Sequence, residues 1–457
     1  MNKHKQTLLI MGCCFCFMQL QAQKLPDNFF MTKLNNGLEI LVIEDASVPL
    51  ATVEIVVRNG AYTEDTAFNG LSHLYEHMFF KANKALPSQE QFLDRVNELG
   101  IVFNGTTSDE RVNYFFTLAS NKVNEGLEFM NNAIRYPLFL ESEMKKENPV
   151  VDGEFQRNES NPYFHLFDDM NHRIWGSNYS RKNAIGDHQI ILTATPEKMR
   201  TIQAKYYWPN NSMLVIAGDV KHDDMFKKVQ ELYGDWKPSD FNPFEKWPVP
   251  EFEPIKESQY YITENKNAKS PFILVNYQGP DTRRDLQSTY AADVFSTILG
   301  LQSSKFQKEL VDGGYAYQAG LGYQTCKFTG PISIQFVPNP AKMKEAYSKL
   351  AEQINQFDSD DYFTDEQLEI AKNQLAIQDA YGKEKTSAYV HIVTFWWASA
   401  SINYYTDYIQ NLNKVTRADI KKYVQTYIKG KPCITGLLIS PEMKASLKIE
   451  NFASLTN

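Results

Sequence analysis

The five residues His73-Leu74-Tyr75-Glu76-His77 constrain this chain more than any other stretch. They sit inside an apolar run, residues 71–80, that reads as a buried helix. Helical spacing puts the two imidazoles, four apart, on one face and turns Glu76, three from His73, toward the same region. Such a face can hold a divalent metal. Zinc takes neutral imidazole nitrogens, and a carboxylate beside it can accept a proton from a water whose pKa the metal lowers. The competing reading is a packed, hydrogen-bonded histidine pair. It is disfavoured because the chain has only eight histidines in 457 residues, and two of them fall at this spacing around a glutamate. A third ligand is required, and it has to come from elsewhere in the chain.

The segment 141–157 is where that ligand is sought. Glu147 and Glu154 are seven apart, two helical turns, so both carboxylates fall on one face. One of them with the two histidines gives zinc three protein ligands and leaves a position open for water. Spacing alone does not choose between them, and an acidic helix face is more often simply solvated. Pro149 and Gly153 lie inside this expected helix, where proline removes an internal hydrogen bond and glycine adds freedom, so a kink is expected there.

Around the motif the pattern alternates strands and helices. Two β-branched runs, 38–43 and 51–57, read as strands parted by a turn at 45–49. Ser88 with Gln91 forms a capping box for a helix carrying Phe92, Val96 and Leu99, and Gly100 ends it. Strands follow at 101–104 and 112–118, then a helix over 121–134 with Val123, Leu127, Met130 and Ile134 at helical spacing. Further on, Thr195-Pro196-Glu197 opens a helix ending at Tyr206-Tyr207, before a strand at 213–217. The series recurs 221 residues later, with Thr416 matching Thr195, Ile420 matching Met199 and Tyr427 matching Tyr206, and a strand near 434–439. The repeat implies two related halves. Prolines 238, 243, 248, 250 and 254 mark the join. The partition read from the sequence is 23–236, a proline-rich linker 237–257, and 258–457.

Composition narrows the function. The formal net charge of −8 points to no basic stripe, so neither nucleic acid nor anionic lipid is an expected partner. Lys3 and Lys5 before the apolar run 8–18, with Ala22 as a cleavage residue, read as a signal peptide over 1–22 and hence export to the periplasm. That run is too short for a transmembrane anchor. Lipidation at Cys13 is the weaker alternative. Of five cysteines, Cys326 and Cys433 would remain in the mature chain, enough for one bridge that sequence cannot assign.

Taken together, the strand at 34–38, Gly60, Glu64, the stretch 70–78 around the motif, the segment 100–104 and the pair Glu147 and Glu154 resemble the M16 or insulinase-type metallopeptidases. The motif itself is the inverzincin pattern. The resemblance implies an α+β fold of two homologous halves, each a mainly antiparallel sheet packed with helices. Carried over residue by residue, it makes His73, His77 and Glu154 the ligands of one zinc ion per chain, Glu76 the general base, and Glu147 a support behind the ligands. Asn104 falls at a position placed near substrate. The substrate implied is a short or unfolded peptide, held extended as an added strand near 103–106. The second half lacks the motif. Its stretch 299–317 resembles the family's helix and loop that carry an arginine and a tyrosine for the transition state; Tyr317 fits the tyrosine, but Val311 stands where the arginine is expected. That departure implies the zinc-bearing subunit of a heterodimer whose sister chain supplies the arginine and tyrosine, or else a homodimer. The alternative from another class is a catalytically idle scaffold that captures peptides.

Overall fold

The computed structural model describes residues 25–455, so the expected signal peptide 1–22 and Cys13 lie outside it. Among the described residues eleven strands form two sheets. The first contains β1 (Phe29–Lys33), β2 (Glu39–Glu44), β3 (Leu50–Val57), β4 (Val102–Thr107), β5 (Val112–Ala119) and β6 (Ser212–Gly218), in the order β1-β2-β6-β3-β5-β4. The second contains β7 (Gln259–Glu264), β8 (Phe272–Gln278), β9 (Ala316–Tyr323), β10 (Pro331–Pro338) and β11 (Ile434–Ile439), in the order β7-β11-β8-β10-β9. Apart from β1 the two are the same design. The last strand of each set inserts parallel to the first, β6 on β2 and β11 on β7, and every other pairing is antiparallel. The 221-residue repeat falls on this design. Helices Pro196–Tyr206 and Arg417–Tyr427 hold matching places before β6 and β11. The fold is α+β in two related halves, as the sequence implies.

Both inserted strands are buried along their whole length, which requires cover on both faces of each sheet. One face of the first sheet packs on α1 (Leu71–Phe79), α2 (Gln89–Leu99) and α3 (Val123–Arg135), through Ile40, Val53 and Ile55 against Leu74, Phe92 and Leu127. The opposite face is covered from the other half: Val390, Val393 and Trp397 of helix Thr386–Ser399 pack on Leu41, Val56 and Met213. The exchange is reciprocal. After α4 (Glu141–Glu159), the helix α5 (Phe164–Trp175) lays Leu166, Met170 and Ile174 on Phe272, Leu274 and Leu438 of the second sheet. Each such apolar burial stabilises by about 1.5–3 kcal/mol, so each sheet draws part of its cover from the other half. Hydrogen bonds fix the positions: Tyr261 Oη donates to the Leu166 carbonyl at 2.7 Å, and Arg111 Nη1 to the His391 carbonyl at 2.6 Å.

The proline-rich stretch read as a linker contains a short helix, Pro243–Lys246, and buries Val249 and Phe252 against α5 and the second sheet. It is a packed crossing. Cys326 and Cys433 are both free thiols. No helix among the described residues is long and apolar enough to cross a membrane.

Candidate metal centre

Helix α1 starts at Gly70, whose left-handed backbone (φ 88°) turns the chain into the first turn without a side-chain cap of its own. The cap comes from Glu64. This buried carboxylate accepts from the backbone N–H of Gly70 at 2.7 Å and of Ser72 at 2.6 Å, taking donors that a helix start leaves open. Burial pushes its pKa up to about 8, against the pull of those donors. Gly70 also lies backbone to backbone against Gly186; a Cβ there would sit 2.5 Å from the Gly186 Cα. Position and direction of α1 are therefore set at its first residue. Leu71, Leu74, Tyr75, Met78 and Phe79 are buried in the core, and His73, Glu76 and His77 line a cleft of about 500 Å³.

The cleft brings the expected ligands together. Glu154 Oε2 is 3.6 Å from His73 Nε2 and 3.9 Å from His77 Nε2, and the three donor atoms all lie within 4.8 Å of one another. Zinc bonds of 2.0–2.1 Å at tetrahedral angles put neighbouring donors about 3.3 Å apart, close to the two separations that Glu154 makes with the histidines. Two imidazole nitrogens and a carboxylate oxygen are also the right chemistry for zinc. Helix α4 runs unbroken through Pro149 and Gly153, and Glu154 reaches both histidines.

Behind the donors, Glu147 Oε1 meets His77 Nδ1 at 2.9 Å, while Glu147 Oε2 meets Lys81 Nζ at 2.5 Å. An Nδ1–H donated to Glu147 leaves the His77 Nε2 lone pair for a metal. Burial lowers the His77 pKa, but Glu147, Glu76 and Glu154 outweigh it and hold the imidazole above its ordinary value. Burial works to raise the Glu147 carboxyl, and His77 and Lys81 overcome it, so the group lies below the usual glutamate value. His73 has no such neighbour. Burial, then His77, brings its pKa down to about 4, and its Nδ1 is buried without a partner. Neutral imidazole is the form that binds metal.

Glu76 is held from the strand side. Its Oε2 accepts from Thr107 Oγ1 at 2.7 Å, and Gly105 passes so close that a Cβ there would sit 2.6 Å from Oε1. Burial raises the Glu76 pKa against the opposing pull of Thr107 and His77, the direction a general base needs. Both contacts come from β4, the free edge of the first sheet. Asn104, exposed on that edge, lines the cleft and accepts from the Gly105 N–H at 2.9 Å.

The structure thus gathers His73, Glu76, His77, Asn104, Glu147 and Glu154, and leaves Tyr317 apart. Tyr317 stands on β9, the free edge of the second sheet, 64% exposed, and is not among the residues lining the cleft. Val311 packs against the core of the second half. Sequence reasoning missed Lys81, Thr107, Gly105 and the role of Glu64. Lys81 carried a signal, since it extends the four-residue spacing of His73 and His77 by one more step.

Comparison with known proteins identifies the family. Residues 39–187 match the model of the insulinase family, peptidase family M16, and residues 193–375 match that of the M16 inactive domain. The chain belongs to the insulinase family, M16. A zinc protease of Rickettsia felis is 23% identical over 365 residues, covering 79% of this chain and 86% of that protein. The zinc protease YmxG of Bacillus subtilis is 23% identical, covering 74% and 81%. Among solved structures, a protease from Helicobacter pylori superposes with a TM-score of 0.78 at 20% identity, covering 90% of this chain and 99% of that one. The periplasmic protease PqqL of Escherichia coli gives 0.75 at 15% identity, with 95% of this chain on 50% of that one. The stretch 193–375 matched to the inactive-domain model contains no H-x-x-E-H sequence.

Proposed function

We propose that this chain is an exported zinc endopeptidase acting on short or unfolded peptides, with His73, His77 and Glu154 as ligands of one zinc ion and Glu76 as general base. The observation that carries the reading is the donor set backed by Glu147 and Lys81, with Glu76 clamped beside it. Zinc at this site supplies a Lewis acid for the scissile carbonyl and lowers the pKa of a water. Glu76 accepts the proton of the attacking water at its carboxylate and delivers it to the leaving amine. The free edge of β4 takes the substrate as an added strand, so main-chain hydrogen bonds hold it with little demand on sequence, and Asn104 lies along its path. Val311 and the absence of Tyr317 from the cleft lining favour a sister chain that contributes arginine and tyrosine across an interface, with a homodimer as the other arrangement. Export through residues 1–22 and the partition 23–236, 237–257 and 258–457 belong to the same reading.

The test is Glu76→Gln. It keeps the shape of the cleft and the Thr107 contact but removes the base, so zinc stoichiometry stays at that of the wild type while turnover of a quenched peptide falls by about 10²–10⁴-fold. Retained turnover in this variant refutes the assignment. Absence of both zinc and activity in the wild type, with or without a sister chain, would instead mark an idle peptide-capturing scaffold.

A further inference from the structure

A second cavity, about 930 Å³, opens between the end of β3, the proline-rich crossing and two loops of the second half. Three cations line it: Arg58, Arg283 and Lys327. Arg283 is fully engaged. Its two Nη atoms hold Glu251 at 2.8 and 3.0 Å, its Nε donates to the Lys327 carbonyl at 2.9 Å, and its guanidinium stacks on Phe328.

The other two cations form no ion pair among the described residues, although the charges of Glu39 and Glu110 act on Arg58 and Lys327 respectively. Arg58 stacks on Trp397 at 3.7 Å and gives the Trp397 carbonyl one long contact of 3.4 Å. Its Nε is buried with no hydrogen-bond partner, and no carboxylate among the described residues forms an ion pair with it. Lys327 Nζ likewise has no ion pair or hydrogen bond among the described residues. Burial, then Arg58, brings its pKa down to about 8, with Glu110 opposing and Arg283 adding to the fall. The Glu110 oxygens accept the backbone N–H groups of Lys327 at 2.7 Å and Phe328 at 2.9 Å, and neither bonds the Lys327 ammonium. The acids of the cavity, Asp240, Glu245 and Glu251, are exposed at its rim. Glu251 is held by Arg283, and Glu245 accepts from Asn242 at 3.0 Å.

A guanidinium with an unfilled donor beside a like-charged ammonium is unfavourable unless an anion enters between them. We propose that this cavity binds a small oxyanion, a phosphate group either free or carried as an ester, between Arg58 and Lys327. Arginine and lysine together supply the fork and the point charge that phosphate recognition uses. The site joins β3 of the first half to the loops of the second, so a bound anion ties the two halves across the crossing.

The experiment is titration of the purified mature chain with inorganic phosphate at constant ionic strength, followed by calorimetry and by melting temperature. Saturable binding with a rise in melting temperature is expected for the wild type, and binding about tenfold or more weaker for Lys327→Met. Arg58→Met should do the same, but its stack on Trp397 makes Lys327→Met the decisive variant for a correctly folded protein. Tighter binding of a nucleoside monophosphate than of inorganic phosphate supports the proposal and assigns an ester; the reverse order supports it and assigns the free ion. No saturable response in the wild type overturns it. So does a response that Lys327→Met leaves intact and chelation abolishes, because that anion sits at the metal centre.

Discussion

Replacing Gly105 by alanine tests whether the aim of Glu76 is set by β4. The Gly105 backbone is outside the left-handed region, so alanine is compatible with the strand itself. The added methyl, however, would lie 2.6 Å from Glu76 Oε1, 2.7 Å from Cγ and 2.8 Å from Cδ. Ordinary contact begins near 3.4 Å. The carboxylate or the strand must therefore yield by roughly 0.8 Å, and a displacement of about 1 Å at a reacting group costs on the order of 10²-fold in rate. The three atoms nearest the added methyl all belong to Glu76, so the proposed ligands His73, His77 and Glu154 are expected to keep the zinc. The assay is turnover of a quenched peptide beside zinc analysis of the same sample. A kcat about 100-fold down with full zinc content is expected. An unchanged kcat refutes the argument, and loss of zinc shows that the strain spreads beyond Glu76.

Glu147→Gln removes the carboxylate shared by His77 and Lys81, and zinc affinity should fall about 10–100-fold in a chelator competition, since the partners behind metal ligands carry that much. Asp293, which accepts from Tyr408 Oη at 2.7 Å, has its pKa pushed up to about 7 by burial. A carboxyl with a raised folded-state pKa contributes stability that is complete below its unfolded value and is lost as pH rises toward the folded one. Asp293→Asn should therefore raise the melting temperature more at pH 8 than at pH 5, and an equal change at both would contradict the shift.

The donors were legible because the helix period alone places His73, His77 and Glu76 on one face, and because a seven-residue interval does the same for Glu147 and Glu154. The clamp on Glu76 was not. Thr107 and Gly105 meet it only when β4 docks on α1, a contact between segments some thirty residues apart that local pattern does not encode. Glu64 carries part of the family resemblance, but its role shows only when the start of α1 turns two N–H groups onto it. The exchange of helices was hidden for a related reason. The run Tyr389 to Trp397 is apolar enough to signal burial, but nothing in it says that its partner is a sheet made mostly of residues more than 170 positions earlier. That Tyr317 does not line the cleft is likewise a matter of which edge β9 occupies, and sequence spacing carries no information on that.

The most direct test of the central claim is peptide hydrolysis and zinc content measured on one preparation of the mature chain, before chelation, after it, and after zinc is restored, with and without a sister chain. The account predicts about one zinc per chain, activity that disappears with the metal and returns with it, and a wild-type signal that Glu76→Gln lacks. Activity that survives removal of the metal, or a fully folded chain that takes up no zinc at His73, His77 and Glu154, would contradict it.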